Sequence, residues 1–342
     1  MDEETKVPQA MKIAINGFGR IGRHVLRAAI ETGNQEIDIV AVNDLAHIET
    51  LAHLLSFDSV HGPAQFDVTI DGDTLIVNGK QVRVCQEANP NQLPWDSLGI
   101  DLVMECTGRF VSRDTASGHL EAGAKKVLIS APGKEVDKTI VYGVNHHTLT
   151  ATDTIVSNAS CTTNCLAPVA KALNDAFGIQ SGYMTTVHAY TADQRLADAP
   201  HSDLRRARAA AASMIPTSTG AAKALGLVLP EMDGKLDGAA IRVPTTDVSM
   251  VDLKVNLAEA VTVDQINDAL IAASEGPMGV ALHTIDTPLV SVDFVHNPAS
   301  STVDLLCTQV VNGTLVRVVS WYDNEWGFAN RMLDTAQAMH AA

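Results

Sequence analysis

Ile15-Asn16-Gly17-Phe18-Gly19-Arg20-Ile21-Gly22 decides how the rest of the chain is read. These residues fit G-x-G-x-x-G, a pattern that says little alone. Residues 11–16 before it form a short apolar run. After it, Ile21, Val25, Leu26 and Ala29 recur at helical spacing until Gly33. Residues 37–42 (IDIVAV) are a second strand. Strand, glycine turn, helix and strand make a βαβ unit, the context in which the glycines acquire meaning. Gly17 permits the tight turn, Gly19 lets the backbone approach a pyrophosphate, and Gly22 allows close helix–strand packing. The helix start offers N–H groups and partial positive charge to the anion. Asp44, at the end of the second strand, would bind ribose hydroxyls and repel a 2′-phosphate, favouring NAD over NADP. The alternative role for Asp44 is a helix cap ahead of Ala46.

The 342 residues carry a formal charge of −16, with 46% hydrophobic and 19% charged residues. That composition reads as a folded globule, and the length suggests two domains. The acidic balance argues against nucleic acid or an anionic membrane as partner. No apolar run approaches the roughly 18 residues of a spanning helix. Residues 1–10 are acidic without an apolar core and read as a disordered tail rather than a secretory signal. The five cysteines are too sparse and odd in number for a disulfide framework, which points to the cytoplasm and to a reactive thiol.

Strand-like runs at 66–70 and 75–77 flank Asp71-Gly72-Asp73, a hairpin signature. Runs at 102–104, 127–129 and 139–141 alternate with a helical stretch at 116–122, implying a mostly parallel, α/β-type sheet. The second half differs. Long β-type segments at 182–190, 238–243, 248–257, 289–294 and 315–322 have few helices between them, 263–274 being the clearest. This predicts an α+β domain with a mixed or antiparallel sheet. The boundary is expected near Ser157–Cys161, and 327–340 form a final helix.

Residues 157–168 read SNASCTTNCLAP. Cys161 sits where a strand-like stretch meets an apolar helical run, among cap-type residues. A helix N-terminus there would stabilise a thiolate, and its N–H groups an oxyanion on an attacked carbonyl. A buried structural cysteine is the alternative. Cys165, one turn inward, reads as packing. The Cys-x-x-x-Cys spacing has no accompanying ligand pair, so no metal is expected. Of 12 histidines, His188 is the most suggestive base, lying in a strand of apolar and hydroxylic residues. Residues 203–208 (DLRRAR), the turn 216–220 (PTSTG, read as opening a helix) and Arg242 could bind phosphate oxygens, or form a solvated turn with surface ion pairs.

SNASCTTNCLAP, INGFGRIG, DLRRARAAA, PTSTGAAKA and SWYDNEWG together resemble phosphorylating glyceraldehyde-3-phosphate dehydrogenase, from about Lys12 to the last helix. The resemblance implies an NAD-binding Rossmann domain at 11–160 with 327–342, a mixed-sheet catalytic domain at 161–326, and a homotetramer in glycolysis and gluconeogenesis. It casts Cys161 as nucleophile and His188 as its base. A phosphorylated aldehyde would form a thiohemiacetal, hydride would pass to NAD, and inorganic phosphate would cleave the thioester. Thr191 and Arg242 are similar to ligands of the substrate phosphate. Ser160, Thr162, Arg206, Thr219 and Gly220 resemble the attacking-phosphate site. Asn324 resembles the residue holding the nicotinamide carboxamide, and Arg20 and Ile21 resemble cofactor contacts. Leu45 and Pro200 occupy places that disfavour NADP. Residues 192–213 correspond to a loop lining a neighbouring subunit's cofactor pocket. Phe328, in GFANRMLDT, is reminiscent of the sister enzyme erythrose-4-phosphate dehydrogenase, which keeps a four-carbon substrate as an alternative. A catalytically idle nucleotide- or RNA-binding protein is a third reading.

Overall fold

The computed structural model describes residues 10–342. The tail expected at 1–10 therefore lies outside the described residues except for Ala10. The chain divides into two compact units. One holds the described residues up to Lys138, with Leu149–Asn158 and Met332–Ala342; the other holds Thr139–Thr148 and Ala159–Arg331.

The first unit is built from β1 (Met11–Asn16), α1 (Arg20–Glu31), β2 (Ile37–Asn43) and β3 (Leu102–Glu105). β1 is buried almost throughout and lies parallel to both β2 and β3. β3 continues in parallel to Lys126–Ile129, and that strand to Ile155–Ser157. On the other side β2 pairs in parallel with Lys80–Cys85, after which Thr74–Val77 and Val68–Asp71 add antiparallel. The result is a nine-stranded, mostly parallel sheet. Its outer hairpin turns at Gly72, whose φ of +60° suits glycine.

The second unit centres on α2 (Cys161–Phe177), β4 (Ile179–Ala189), β5 (Leu236–Val243), β6 (Ser249–Leu257) and β7 (Leu315–Tyr322). β4 lies parallel to β5 and antiparallel to β6, and β6 antiparallel to β7, giving a mixed sheet. α2 is capped by Ser160, whose Oγ accepts the Thr163 N–H at 3.0 Å. Its residues from Thr162 to Ala170 are all buried, so it is a core helix rather than an amphipathic surface one. The final helix, α3 (Trp326–Ala341), is divided between the units at Arg331 and Met332.

Three details depart from the sequence expectation. Residues 139–148 fall in the second unit, where Val141 and Val144 are buried with Leu166 and Met184, and so do 159–160 and 327–331, all expected in the first domain. The strand expected at 289–294 is a 3-10 turn, Ser291–Phe294, where the Asp293 carboxylate accepts the Val290 N–H at 2.9 Å. The turn expected at 216–220 is largely strand: Ile215–Ser218 pairs antiparallel with β5 and buries Ile215 and Thr217. It is the sheet's edge strand, where Pro216 is tolerated.

The glycine turn carries a steric requirement that can be tested. A Cβ on Gly22 would stand 2.2 Å from the Gly17 carbonyl oxygen, whereas one on Gly19 would meet nothing within 4 Å. Gly22→Ala is expected to cost about 1–3 kcal/mol and lower the thermal midpoint by several degrees. Gly19→Ala should melt like the parent. Equal melting of the two variants would contradict this account of the turn.

Candidate active site

In the first unit a cleft of about 320 Å³ opens along the glycine turn, lined by Asn16, Gly17, Gly19, Asp44, Leu45 and Thr107 among others. A Cβ on Gly17 would come within 2.7 Å of the Thr107 nitrogen, so the turn closes against that wall. Gly19 caps α1 without a side chain, the arrangement in which a bound anion takes up the N–H groups of the first turn. Asp44 accepts the Phe18 N–H at 2.9 Å and the Ala46 N–H at 3.0 Å. It thus brackets the glycine turn and closes a turn onto Ala46; it is not the cap of the next helix, which starts at Ile48 after His47. Arg20 pairs with Asp58 at 2.7 Å, and Ile21 is half-buried beside it on α1. These features suit a dinucleotide: open backbone for the pyrophosphate and a carboxylate at the strand end for the ribose.

Behind the cleft lies a buried polar network that sequence reasoning missed. Glu105, fully buried, accepts from Asn16 Nδ2 (2.6 Å), from the Thr107 N–H (2.8 Å) and from the Thr107 hydroxyl. Trp95 Nε1, which can only donate, points at His119 Nδ1 from 3.1 Å. That leaves the His119 proton on Nε2, 3.1 Å from Glu105. Asn43 in turn donates to Asn16 Oδ1 at 2.7 Å. Three of these groups, Asn16, Asn43 and Thr107, line the cleft. The signal available in the sequence was the set of polar residues at the ends of apolar strands, Asn16, Asn43 and Glu105.

The thiol centre belongs to the second unit. Ala159 precedes it in the left-handed region, at φ +56°, though it is not glycine. Such a conformation costs free energy and persists where the surroundings enforce it. It brings the chain to Ser160 and then to Cys161, the first residue of α2. Cys161 Sγ stands 3.5 Å from His188 Nε2. His188 is one residue from the end of β4 and pairs in register with Arg242 on β5. Its Nδ1 lies 2.7 Å from the Ala189 carbonyl and 2.8 Å from Arg242 Nη1, which itself donates to that carbonyl at 3.0 Å. With the ring proton given to Ala189, the Nε2 lone pair faces the sulfur.

The electrostatics correct one expectation. A helix N-terminus was expected to hold Cys161 ionised. The Arg242 charge, the Thr162 hydroxyl and the N–H groups of the first turn do pull its pKa down. Burial pushes it up and wins, so the thiol titrates above the ordinary range. His188 moves the opposite way, to about 3, first through burial and then through the Arg242 cation. Each group alone is thereby held neutral. The neutral imidazole then stands beside the neutral thiol as its nearest proton acceptor.

The other expected residues gather around this pair to different degrees. Thr162 is buried, its hydroxyl 2.9 Å from Tyr322 Oη, which also meets Thr186 at 2.9 Å. Thr163 donates to the Ala221 carbonyl at 3.4 Å, which sets the segment with Thr219 and Gly220 beside the first turn of α2. Thr219 Oγ1 accepts the Ala221 N–H at 3.2 Å. Arg206 pairs with Asp193 and Asp203, so the ion-paired reading of that stretch holds for this arginine in the free chain. Arg206 and Asp193 are close enough to affect the Arg242 charge. Thr191 lies two residues beyond β4 and accepts the Gln194 N–H at its carbonyl. Among the described residues, Arg242 Nε and Thr217 Oγ1 are buried without a hydrogen-bond partner, capacity that an oxyanion would use. Asn324 Oδ1 accepts from Ser249 Oγ at 2.7 Å. Cys165 is buried against Ser301, as expected of a packing thiol.

Comparison with known proteins agrees with this geometry. Residues 11–113 match the family model described as glyceraldehyde 3-phosphate dehydrogenase, NAD binding domain, and residues 160–324 the one described as its C-terminal domain. The chromosomal glyceraldehyde-3-phosphate dehydrogenase of Cupriavidus necator is 60% identical over 331 residues, covering 96% of this chain and 98% of that protein. The enzymes of that name from Xanthobacter flavus and Geobacillus stearothermophilus are 60% and 56% identical, each covering 96% of this chain and 98% and 97% of their own.

Removing the imidazole takes away the proton acceptor 3.5 Å from the sulfur. In His188→Asn, alkylation of Cys161 by iodoacetamide at pH 7 should slow at least about tenfold, and its pH profile should move upward. Peptide mapping of the labelled thiol measures this. An unmoved profile would remove His188 from the activation of Cys161.

Proposed function

The chain belongs to the glyceraldehyde 3-phosphate dehydrogenase family, and we propose that it catalyses the NAD-dependent oxidative phosphorylation of D-glyceraldehyde 3-phosphate to 1,3-bisphosphoglycerate. The observation that carries this reading is the 3.5 Å approach of Cys161 Sγ to His188 Nε2, with the Arg242 guanidinium alongside.

His188 Nε2 takes the Cys161 proton as the sulfur attacks the aldehyde carbon. The oxyanion that develops is met by the imidazolium and by N–H groups of the first turn of α2. The chemistry that NAD supplies when bound is that of a hydride acceptor, which takes the thiohemiacetal carbon to the thioester level. Inorganic phosphate then attacks the thioester, and the Cys161 thiolate departs. Thr191 and Arg242 hold the substrate's own phosphate. That dianion offsets the cation beside His188 Nδ1 and raises the basicity of the ring when substrate is present. Ser160, Thr162, Arg206, Thr219 and Gly220 hold the attacking phosphate, for which Arg206 exchanges an aspartate partner. Gly17, Gly19, Arg20, Ile21, Gly22 and Asp44 bind the dinucleotide, and Asn324 the nicotinamide carboxamide. Asp44, Leu45 and Pro200 favour NAD over NADP.

We also infer a homotetramer acting in the cytoplasm, in glycolysis or gluconeogenesis. Support for assembly comes from Leu196, Leu204 and Met214, each at least three-quarters exposed on or just beyond the 192–213 segment. Support for a reducing compartment comes from five cysteines that are all free. No helix among the described residues is long and apolar enough to cross a membrane.

Initial rates of NADH formation test the proposal. With phosphate present, kcat/KM for glyceraldehyde 3-phosphate should exceed that for erythrose 4-phosphate by at least about tenfold, and NADP should serve poorly. Preference for the four-carbon aldehyde without added phosphate would overturn the substrate assignment.

A further inference from the structure

Ser249 opens β6 and is 1% exposed. Its Oγ lies 3.1 Å from the Ala189 N–H and 2.7 Å from Asn324 Oδ1. The serine oxygen accepts from the Ala189 N–H and donates its own proton to Asn324 Oδ1. Oδ1 is held by Ser249, and Nδ2 is left to donate elsewhere. Ala189 is also the residue whose carbonyl receives His188 Nδ1 and Arg242 Nη1. One residue is thus tied at its carbonyl to the imidazole and at its N–H, through Ser249, to Asn324.

The backbone supports the same reading. β6 is entered through Val248 at φ +63°, buried and β-branched, a conformation that such residues rarely adopt. Ser249 also pairs in register with Tyr322, two residues before Asn324. Strain is held at the residue that sets the serine between its two partners.

We propose that Ser249 is a positioning residue for hydride transfer. It fixes the Asn324 amide so that Nδ2 is the donor offered to the nicotinamide carboxamide oxygen, and it locks that amide to the end of the strand carrying His188. The proposal rests on the reading of Asn324 given under Proposed function.

A double-mutant cycle tests it, with kcat, KM for NAD and thermal midpoint measured for Ser249→Ala, Asn324→Ala and the double variant. Ser249→Ala should lower kcat/KM for NAD about tenfold, the size of one lost neutral hydrogen bond. Asn324→Ala should lower it at least as much. The double variant should match Asn324→Ala alone, because Ser249 acts through that amide. Effects that multiply would make Ser249 a packing residue and overturn the proposal, leaving the Asn324 reading intact. An Asn324→Ala enzyme with unchanged NAD kinetics would overturn both. Should Ser249→Ala fail to fold, Ser249→Cys keeps the side chain's shape at slightly larger size while weakening both hydrogen bonds, and the same cycle applies.

Discussion

A sulfur and an imidazole nitrogen 3.5 Å apart, both largely withdrawn from water, are the constraint from which the second unit takes its meaning. Burial raises the cost of a lone thiolate and of a lone imidazolium. The two charges cost far less when created together, because each then solvates the other. That requirement explains why the pair is held by secondary structure. Cys161 is fixed by the Ser160 cap and the left-handed Ala159, and His188 by a strand paired on both sides. Arg242 needs no separate device, since the β4–β5 register delivers it opposite His188.

Both units use the same means of orienting their working groups. A donor-only or acceptor-only partner removes the freedom of an ambiguous one. Trp95 Nε1 determines which nitrogen of His119 carries the proton, and thereby how Glu105 holds the Asn16 and Thr107 wall of the cleft. The Ala189 N–H holds the Ser249 oxygen, and the Ser249 hydroxyl in turn holds Asn324 Oδ1. Buried polar groups are expensive unless every partner is found. Such chains are therefore rigid, and rigidity is what positioning for hydride transfer requires.

Much of this was legible in the sequence. The glycine turn between an apolar run and a helical one announced the parallel sheet, and the hydroxyl-rich entry to an apolar helix announced Cys161. Local signals of that kind have local causes. What was not legible depends on tertiary register. The placement of His188 beside Arg242 joins two residues more than 50 positions apart through the register of their strands. Pro216 suggested a turn because its position on an edge strand was not visible locally. Residues 139–148 follow the first domain's strands in sequence, and only the burial of Val141 and Val144 in the second core assigns them there. The ionisation of Cys161 was misjudged for a related reason: sequence shows the helix terminus but not the burial that outweighs it.

The central claim is that the reaction passes through an acyl group carried on Cys161. Intact-protein and peptide mass spectrometry after mixing enzyme, NAD and glyceraldehyde 3-phosphate in the absence of phosphate tests it most directly. The account predicts one 3-phosphoglyceryl group per chain, on the peptide bearing Cys161, discharged when inorganic phosphate is added. Turnover without that adduct, or an adduct on another residue that phosphate discharges, would contradict it.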